Sequence, residues 1–141
     1  LAGYPVVDMR ITLIDGSYHT VDSSEMAFKT ASNIAFKKAM EMSKPVLLEP
    51  IYNLEVTCAD SMMGDVIGDL NSKRGRILGM QSVEEGMSVV TAQVPYAEIS
   101  EYAVDLRAIT QGLGTFEMKF DHYEDVPAKM AEKIIADRKE A

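Results

Sequence analysis

The stretch GDVIGDLNSKRG at residues 64–75 decides the fold, because YAVDLRAITQG at residues 102–112 repeats its pattern. Each stretch carries an Asp-Leu pair among apolar residues at helical spacing, and each ends in a glycine, Gly75 and Gly112. A glycine directly after a periodic segment is a common signal for the end of a helix. The repeat therefore predicts two helices, one in each of two successive halves of a single domain.

Short apolar segments flank both predicted helices and indicate strands. The hairpin turn Glu84-Glu85-Gly86 joins the middle two strands. Two consecutive βαβ halves of this size form a split βαβ, ferredoxin-like sandwich, in which four antiparallel strands carry two helices on one face. The predicted fold class is therefore α+β. The predicted strands are 51–57, 76–83, 88–94 and 115–123, and the predicted helices are 62–72 and 101–111.

The first part of the chain predicts a separate strand and helix. Residues 7–13 alternate between apolar and polar side chains, the period-two pattern of a half-buried strand, and Asp15-Gly16 signals the turn that ends it. Asp22 lies three residues before Glu25, an Asp variant of the capping box that opens a helix. The apolar residues that would form the buried face of this helix are Phe28, Ala31, Ala35, Ala39 and Met42.

Prolines mark the limits of the predicted domains. Pro45 and Pro50 bracket a stiff connector, Val46-Leu47-Leu48-Glu49, which is the best candidate for a domain boundary. Pro127 opens a final predicted helix, because proline is favoured at the first position of a helix.

Composition and charge narrow the class of protein. Of the 141 residues, 47% are hydrophobic and 26% are charged, which is typical of a globular protein. No apolar run approaches the roughly 20 residues of a membrane span, so no membrane partner is predicted. The net charge of −8 argues against a duplex-DNA binder, whose affinity comes mainly from phosphate neutralisation. Cys58, the sole cysteine, excludes an intrachain disulfide and favours a reducing, cytoplasmic location.

The sequence offers no catalytic or metal-binding pattern. It contains no G-x-x-x-x-G-K-[ST] phosphate-binding loop. Its two histidines, His19 and His122, have no Cys or His partner at metal-ligand spacing. A triad of His19 with Asp22 and Ser23 or Ser24 is disfavoured, because residues of one short loop do not converge as a triad requires. We therefore predict no catalytic residue, no metal and no cofactor in this chain.

The loop Gly16-Ser17-Tyr18-His19 is the first candidate binding site. It lies between a predicted strand end and a predicted helix start. Tyr and His side chains can stack on RNA bases, and backbone N–H groups at a helix start suit a phosphate. The alternative is an ordinary connector whose Tyr18 folds back onto the core, and the chemistry alone favours this alternative.

The second candidate is the basic segment that contains Lys73, Arg74 and Arg76. Residues 71–83 include these three cations and no acidic residue. The positive charge of the cluster is therefore interpreted as locally unopposed by carboxylates, which suits contact with RNA phosphates. The alternative is a solvated helix end, where positive charge complements the helix dipole. Gly64 and Gly68, four apart on the preceding helix, predict close packing of that helix on the sheet.

Four longer strings carry a family resemblance. They are GYPVVDMRITLIDGSYHTVDSSEMAFKTASNIAFKKA (3–39), KPVLLEPI (44–51), GDVIGDLNSKRGRILGM (64–80) and DLRAITQGLGTFEMKFDHYEDVP (105–127). Together they resemble the C-terminal part of bacterial elongation factor G over essentially the whole chain. The resemblance implies that residues 1–44 are the second half of the fourth domain, a partial ribosomal protein S5 domain 2-like α+β unit. Residues 45–125 would be the ferredoxin-like fifth domain, and residues 126–141 a helix that packs back on the fourth.

The resemblance also implies a function. The chain would be the ribosome-binding arm of a translational GTPase that promotes tRNA–mRNA translocation during elongation. GTP and magnesium would belong to a part of the parent protein outside this chain, so the chain itself would not be an enzyme. Gly16-Ser17-Tyr18-His19 would be the tip that enters the decoding region of the small subunit, with His19 its foremost residue. Lys73, Arg74 and Arg76 would face ribosomal RNA at the base of the large-subunit stalk.

Some positions depart from the family pattern and keep alternatives open. Ile99-Ser100-Glu101 replaces the expected Met-Phe-Gly, and Leu113 stands where Arg or another polar residue is common. These departures favour, as an alternative, a paralogue that acts in ribosome recycling. A ferredoxin-like small-molecule regulatory module is an alternative from a different class. An acylphosphatase-like enzyme would need an Arg after the first strand, and Cys58-Ala59-Asp60-Ser61 offers none.

Overall fold

The computed structural model describes residues 1–140, and its contacts divide the chain into two compact units. One unit is Leu48–Val126, and the other joins Leu1–Leu47 to the segment that begins at Pro127. In chain order the elements are α1 (Glu25–Met42), β1 (Leu48–Ala59), a 3-10 turn (Asp60–Met62), α2 (Met63–Ser72), β2 (Arg76–Glu84), β3 (Met87–Pro95), α3 (Tyr96–Ile99), α4 (Tyr102–Ile109), β4 (Thr115–Asp125) and α5 (Ala128–Glu140).

The unit Leu48–Val126 contains one four-stranded antiparallel sheet in the order β2-β3-β1-β4. This order and the two helical segments between the strands confirm the predicted α+β, ferredoxin-like sandwich. Each of the four predicted strands is present, and each extends beyond its predicted limits. The short helix α3 was not predicted; it follows Pro95 and comes before the predicted α4.

The core of this unit lies between the central strands and the helices. Alternate residues of β1 and β3 are buried, as expected for strands with one covered face. Tyr102 on α4 places its ring edge against Phe116 on β4, with the ring centroids 5.3 Å apart. The buried cluster consists of Leu54, Val56, Cys58, Val66, Leu70, Val90, Ala92, Val94, Ile99, Tyr102 and Leu106.

The end of α2 shows why its glycine is required. The N–H of Gly75 donates to the carbonyl of Leu70 at 2.8 Å, the long-range hydrogen bond of a Schellman cap. The left-handed residue of this cap is Arg74, with φ +58°, rather than a glycine. A Cβ added at Gly75 would lie 2.5 Å from the Leu70 oxygen, so close approach, not backbone rotation, demands glycine there.

The end of α4 repeats this arrangement. Gly112 donates to the carbonyl of Arg107 at 2.9 Å, and the left-handed residue before it is Gln111, with φ +53°. The glycine-terminated repeat that predicted the two helices therefore reflects two caps of one kind.

The glycines within α2 have a different environment from the one predicted. A Cβ added at Gly64 or Gly68 would meet no atom within 4 Å, and both residues are exposed. Close packing of α2 on the sheet is therefore the wrong explanation for them, because they lie on the face that turns away from the core.

Helix α1 forms as predicted but starts and packs differently. Its N-cap is Ser24, whose Oγ accepts from the N–H of Ala27 at 3.1 Å, and not Asp22. No residue of α1 is buried, and Phe28 is 48% exposed. The prediction that this helix has a buried face is wrong within residues 1–140. A helix face is buried only where another element covers it, and none covers α1 within this range.

The predicted strand at residues 7–13 is absent from the described part of the chain. These residues form no ladder, and Leu13 is 89% exposed. A strand needs a neighbouring strand for its backbone hydrogen bonds. Among the described residues, no strand pairs with residues 1–24.

The connector between α1 and β1 lies earlier in the chain than predicted. Leu48, Glu49 and Pro50 belong to β1, so the chain between α1 and β1 is residues 43–47. The carbonyl of Pro127 accepts from Met130 and Ala131, each at 2.9 Å, so Pro127 opens α5 as expected.

Candidate nucleic-acid interface

The loop Gly16-Ser17-Tyr18-His19 is exposed along its whole length. Tyr18 is 67% exposed, so the alternative in which its ring folds back onto a core is wrong. Ser23 shapes the loop, since its Oγ accepts from the His19 N–H at 2.9 Å and its N–H donates to the His19 carbonyl at 3.0 Å. The backbone of His19 is thereby fixed while its side chain stays exposed, which is the geometry a contact residue needs.

Lys73 is held between α2 and α4. Its Nζ lies 2.9 Å from Asp69 Oδ1 and 3.1 Å from Asp105 Oδ2, and its side chain is only 17% exposed. The hydrogen bond to Asp69 raises the pKa of Lys73, with that to Asp105 adding to it and partial burial opposing it. Lys73 therefore joins two helices and already has two carboxylate partners.

Arg74 is held by three hydrogen bonds to two carboxylates. Its Nη1 and Nη2 donate to the two carboxylate oxygens of Glu49 at 2.7 and 2.9 Å, and its Nε donates to Glu98 at 2.9 Å. These hydrogen bonds, led by those to Glu49, raise the pKa of Arg74. Bidentate pairs of this kind are among the strongest side-chain hydrogen bonds in proteins.

Arg76 is the most accessible of the three predicted cations. Its Nη2 lies 2.9 Å from Glu124 on β4, and its side chain is 60% exposed. The interpretation of Lys73, Arg74 and Arg76 as locally unopposed is therefore wrong. Their carboxylate partners lie between 4 and 48 residues away along the chain, and only the fold brings the distant ones close.

A polar network around His122 was missed from the sequence. Its ring nitrogens lie 2.5 Å from Asp121 Oδ2 and 2.7 Å from Glu124 Oε1. Asn53 on β1 and Gln93 on β3 donate to Asp121, and Arg76 on β2 donates to Glu124. The network thus spans all four strands. The acidic residues Asp121 and Glu124 close to His122 were the available signal, but only the strand register shows which residues of the other strands they contact.

The two predicted contact regions lie in different compact units. Gly16-Ser17-Tyr18-His19 belongs to the unit that contains α1, and Lys73, Arg74 and Arg76 belong to the sheet unit. Within residues 1–140, no group of three or more His, Cys, Asp or Glu side chains is placed to hold a metal ion. The same range contains no helix long and apolar enough to cross a membrane.

Cys58 is buried in the core, and this burial, together with the charge of Asp60, raises the pKa of its thiol. A raised pKa keeps the sulfur protonated, which disfavours it as a nucleophile.

The fold and the exposed polar segments define a class of protein, an α+β module that combines a ferredoxin-like domain with a preceding loop and helix. Residues 1–44 match the family model described as elongation factor G, domain IV, and residues 46–134 match the model described as elongation factor G C-terminus. The chain therefore belongs to the elongation factor G family of protein biosynthesis.

Individual relatives agree with this assignment. The chain is 56% identical over 138 residues to elongation factor G of Aquifex pyrophilus, a match that covers 98% of this chain and 20% of that protein. A crystal structure of a protein from Thermus thermophilus is 47% identical, with a TM-score of 0.77 over 90% of this chain and 19% of that one. The chain thus spans about a fifth of the length of either relative.

Proposed function

We propose that this chain is the ribosome-binding C-terminal arm of a translational GTPase that promotes tRNA–mRNA translocation in the cytoplasm. The observation that carries the proposal is that domain IV and C-terminal family models match residues 1–44 and 46–134 in chain order. The 56% identity to an elongation factor G over nearly the whole chain supports it. GTP binding and hydrolysis, with magnesium, are assigned to the rest of the parent protein.

The proposed contact with the decoding region of the small subunit is the loop Gly16-Ser17-Tyr18-His19. All four residues are exposed, and the loop is shaped by Ser23 rather than by any side chain of its own. A loop whose side chains take no part in folding is free to meet tRNA and mRNA. His19 and Tyr18 supply the ring faces and hydrogen-bonding groups for that contact.

The proposed contact with ribosomal RNA at the stalk base centres on Arg76. Arg76 can turn from Glu124 towards a phosphate at little cost, because both side chains are substantially exposed. Lys73 and Arg74 support this contact mainly by position, since their carboxylate partners hold the corner between α2 and β2.

The decisive experiment separates GTP hydrolysis from movement in the full-length protein. We expect His19→Ala to leave ribosome-stimulated GTP hydrolysis nearly unchanged, because that chemistry lies in another domain. We expect it to slow single-turnover tRNA movement about tenfold, equivalent to about 1.4 kcal/mol of barrier. Val21→Ala is the matched control, because Val21 is 90% exposed in the same segment and is assigned no contact.

The outcomes discriminate between the candidate functions. Normal tRNA movement in His19→Ala removes the assigned role of this residue. If His19→Ala slows the splitting of ribosomal subunits and leaves tRNA movement unchanged, the result favours the recycling paralogue. Absence of any ribosome-stimulated hydrolysis in the unmodified full-length protein contradicts the assignment to a translational GTPase.

A further inference from the structure

Two basic side chains converge on a single carboxylate oxygen. Arg76 Nη2 lies 2.9 Å and His122 Nε2 lies 2.7 Å from the same atom, Oε1 of Glu124. An oxygen that accepts from two convergent N–H donors has the surroundings of a phosphate oxygen in an anion-binding site. Glu124 therefore places its own carboxylate where an external anion would be bound.

The geometry around His122 requires its ring to carry a positive charge. Its Nδ1 lies 2.5 Å from Asp121 Oδ2, so each ring nitrogen faces a carboxylate oxygen. Ionised carboxylates only accept hydrogen bonds and a neutral imidazole has one N–H, so only the imidazolium form satisfies both contacts. The hydrogen bond to Glu124, followed by that to Asp121, accordingly raises the pKa of His122. The hydrogen bond from His122 lowers the pKa values of both carboxyl groups, which keeps them ionised.

A bulge in β4 builds this arrangement. Ile51 pairs with His122, and Tyr52 pairs with Phe120. Asp121 is therefore an extra residue in β4. Adjacent side chains of a regular strand lie on opposite faces, whereas the extra residue allows Asp121 to contact its neighbour His122. Bulges of this kind re-aim side chains and are over-represented next to functional sites.

Two amides hold Asp121 in place. Asn53 on β1 and Gln93 on β3 donate to its two carboxylate oxygens at 2.8 and 3.2 Å. Asn53 precedes the buried Leu54, so these groups lie on the face of the sheet that turns away from the core. Asp121 therefore has fixed partners in the sheet and serves to orient the imidazolium.

The other charged groups near Glu124 leave its carboxylate free to be replaced. Glu49 is its ladder partner on β1, but both Glu49 oxygens accept from Arg74. Lys119 is the ladder partner of Asn53 and is exposed, so it adds positive charge to the same face. The Glu124 side chain itself is 44% exposed. It can turn into solvent while the two donors stay in place.

We propose that Arg76 and protonated His122 together bind one backbone phosphate of ribosomal RNA, and that Glu124 occupies this site until the phosphate displaces it. The inference rests on the proposed function, because it takes the ribosome as the source of the phosphate. It adds a second donor to the contact assigned to Arg76, and it adds an internal competitor. Exposed ion pairs are weak, so the dense phosphates of RNA can displace this carboxylate at little cost.

The sharpest test is a variant that should bind ribosomes more tightly than the unmodified protein. In the full-length protein, Glu124→Gln replaces the competing carboxylate with a neutral amide. Ribosome affinity should then rise about threefold, within the range expected for an exposed ion pair. Glu117→Gln is the matched control, because Glu117 is an exposed residue of the same strand and the substitution changes the charge equally. It should raise the affinity much less.

The pH profile identifies the second donor. The imidazolium form of His122 is complete below about pH 6.5 and is lost as the pH rises through its raised pKa. We therefore expect His122→Gln to bind ribosomes more weakly than the unmodified protein at pH 6.5, and the difference to shrink as the pH rises. Arg76→Ala should retain this pH dependence and reduce the slope of affinity against salt, because it removes a phosphate contact.

Site-specific photocrosslinking tests whether the partner is RNA. The full-length protein would carry p-azidophenylalanine at position 119 or at position 80 and would be irradiated on purified ribosomes. Met80 is the control, because it pairs with the buried Val90 and so lies on the other face of the sheet. We expect an adduct from position 119 that survives protease and is destroyed by ribonuclease. Position 80 should give much less of it.

Several results would overturn the inference alone. They are an unchanged or lower affinity of Glu124→Gln, an equal gain in Glu117→Gln, and parallel pH profiles of His122→Gln and the unmodified protein. An adduct of position 119 with a ribosomal protein, or no excess over position 80, would also do so. Competition by inorganic phosphate at constant ionic strength would assign the site to free phosphate instead. Failure of the unmodified protein to sediment with ribosomes would overturn the proposed function and this inference together.

Discussion

At the scale of single residues, Arg74 meets two conflicting demands. Its left-handed backbone, φ +58°, costs a non-glycine residue about 1 kcal/mol. Its guanidinium meanwhile satisfies Glu49, whose side chain is only 12% exposed, and Glu98. The ion pairs therefore explain why an arginine occupies a position that the cap geometry reserves for glycine.

This conflict can be separated with two variants. We expect Arg74→Ala to lower the free energy of unfolding by about 1–3 kcal/mol, because Glu49 loses its partner while partly buried. Arg74→Gly loses the same ion pairs but relieves the backbone strain, so it should be about 1 kcal/mol more stable than Arg74→Ala. Urea unfolding of both variants measures the difference. An alanine variant as stable as the glycine variant would show that the backbone at Arg74 is not strained.

At the scale of elements, α2 contains two glycines that its own packing does not require. Because a Cβ at Gly64 or Gly68 meets nothing within 4 Å, we expect each change to Ala to stabilise the chain by about 0.5–1 kcal/mol. Gly75→Ala is the contrasting control and should destabilise, since its Cβ would collide with the Leu70 oxygen. Thermal unfolding of the three variants provides the test. A loss of stability in Gly64→Ala or Gly68→Ala would restore the close-packing explanation.

The four strands share a polar network whose strength depends on pH. The hydrogen bond to Glu124, then that to Asp121, raises the pKa of His122 above 6.5. Its contribution to stability is therefore complete below about pH 6.5 and is lost as the pH rises through the raised value. The hydrogen bond to His122 lowers the pKa values of Asp121 and Glu124, so their contributions are lost as the pH falls through the lowered values.

From the directions of these pKa shifts, we expect the network to stabilise the sheet most between about pH 4.5, the ordinary pKa of Glu124, and pH 6.5. We expect His122→Gln to flatten the loss of stability above pH 6.5, because glutamine does not titrate. Met80→Ala is the control and should keep the slope of the unmodified protein, since Met80 lies outside the network. Urea midpoints measured from about pH 4.5 to about pH 8.5 provide the comparison. An equal slope above pH 6.5 in the unmodified and His122→Gln proteins would show that His122 does not link the strands.

At the scale of the whole molecule, local signals determined what the sequence could predict. The four strands of the sheet unit and its helices α2 and α4 were predictable because period-two segments, the repeat in residues 64–75 and 102–112, and terminal glycines all agree. The strand at residues 7–13 failed because its alternation describes a surface that needs a neighbouring strand. The buried face of α1 failed for the same reason, since periodicity identifies a face but not the element that covers it.

The candidate site was less predictable than the fold. The residue chemistry of Gly16-Ser17-Tyr18-His19 alone favoured a Tyr18 folded back onto the core, and only the family resemblance indicated an exposed tip. The neutralisation of Arg74 by Glu49 and Glu98 could not be seen, because these residues are 25 and 24 positions away from it and meet it only through the fold. The bulge at Asp121 was equally hidden, since one extra residue leaves no pattern in a single sequence.

The last prediction concerns the domain assignment 45–125. It follows from the division of the chain into two compact units. Thermolysin cleaves before apolar residues, and Val46 is 61% exposed in the short connector before β1. Leu54 and Val56 in β1 are fully buried, so cleavage there requires the sheet to open. We expect early cuts before Val46 and near Val126 to release a resistant fragment that corresponds to the sheet unit.

The size and the order of the cuts decide the outcome. Mass spectrometry should find residues 46–126, or a fragment within a few residues of it, after the segment 1–24 has been digested. Val46→Glu should delay the cut in the connector without changing the resistance of β1, because the altered residue lies outside the sheet. Cleavage within residues 51–57 at the same rate as in the connector would mean that the sheet unit does not hold together alone. The boundary near Pro45 would then not separate two domains, since a domain keeps its own core when its linker is cut.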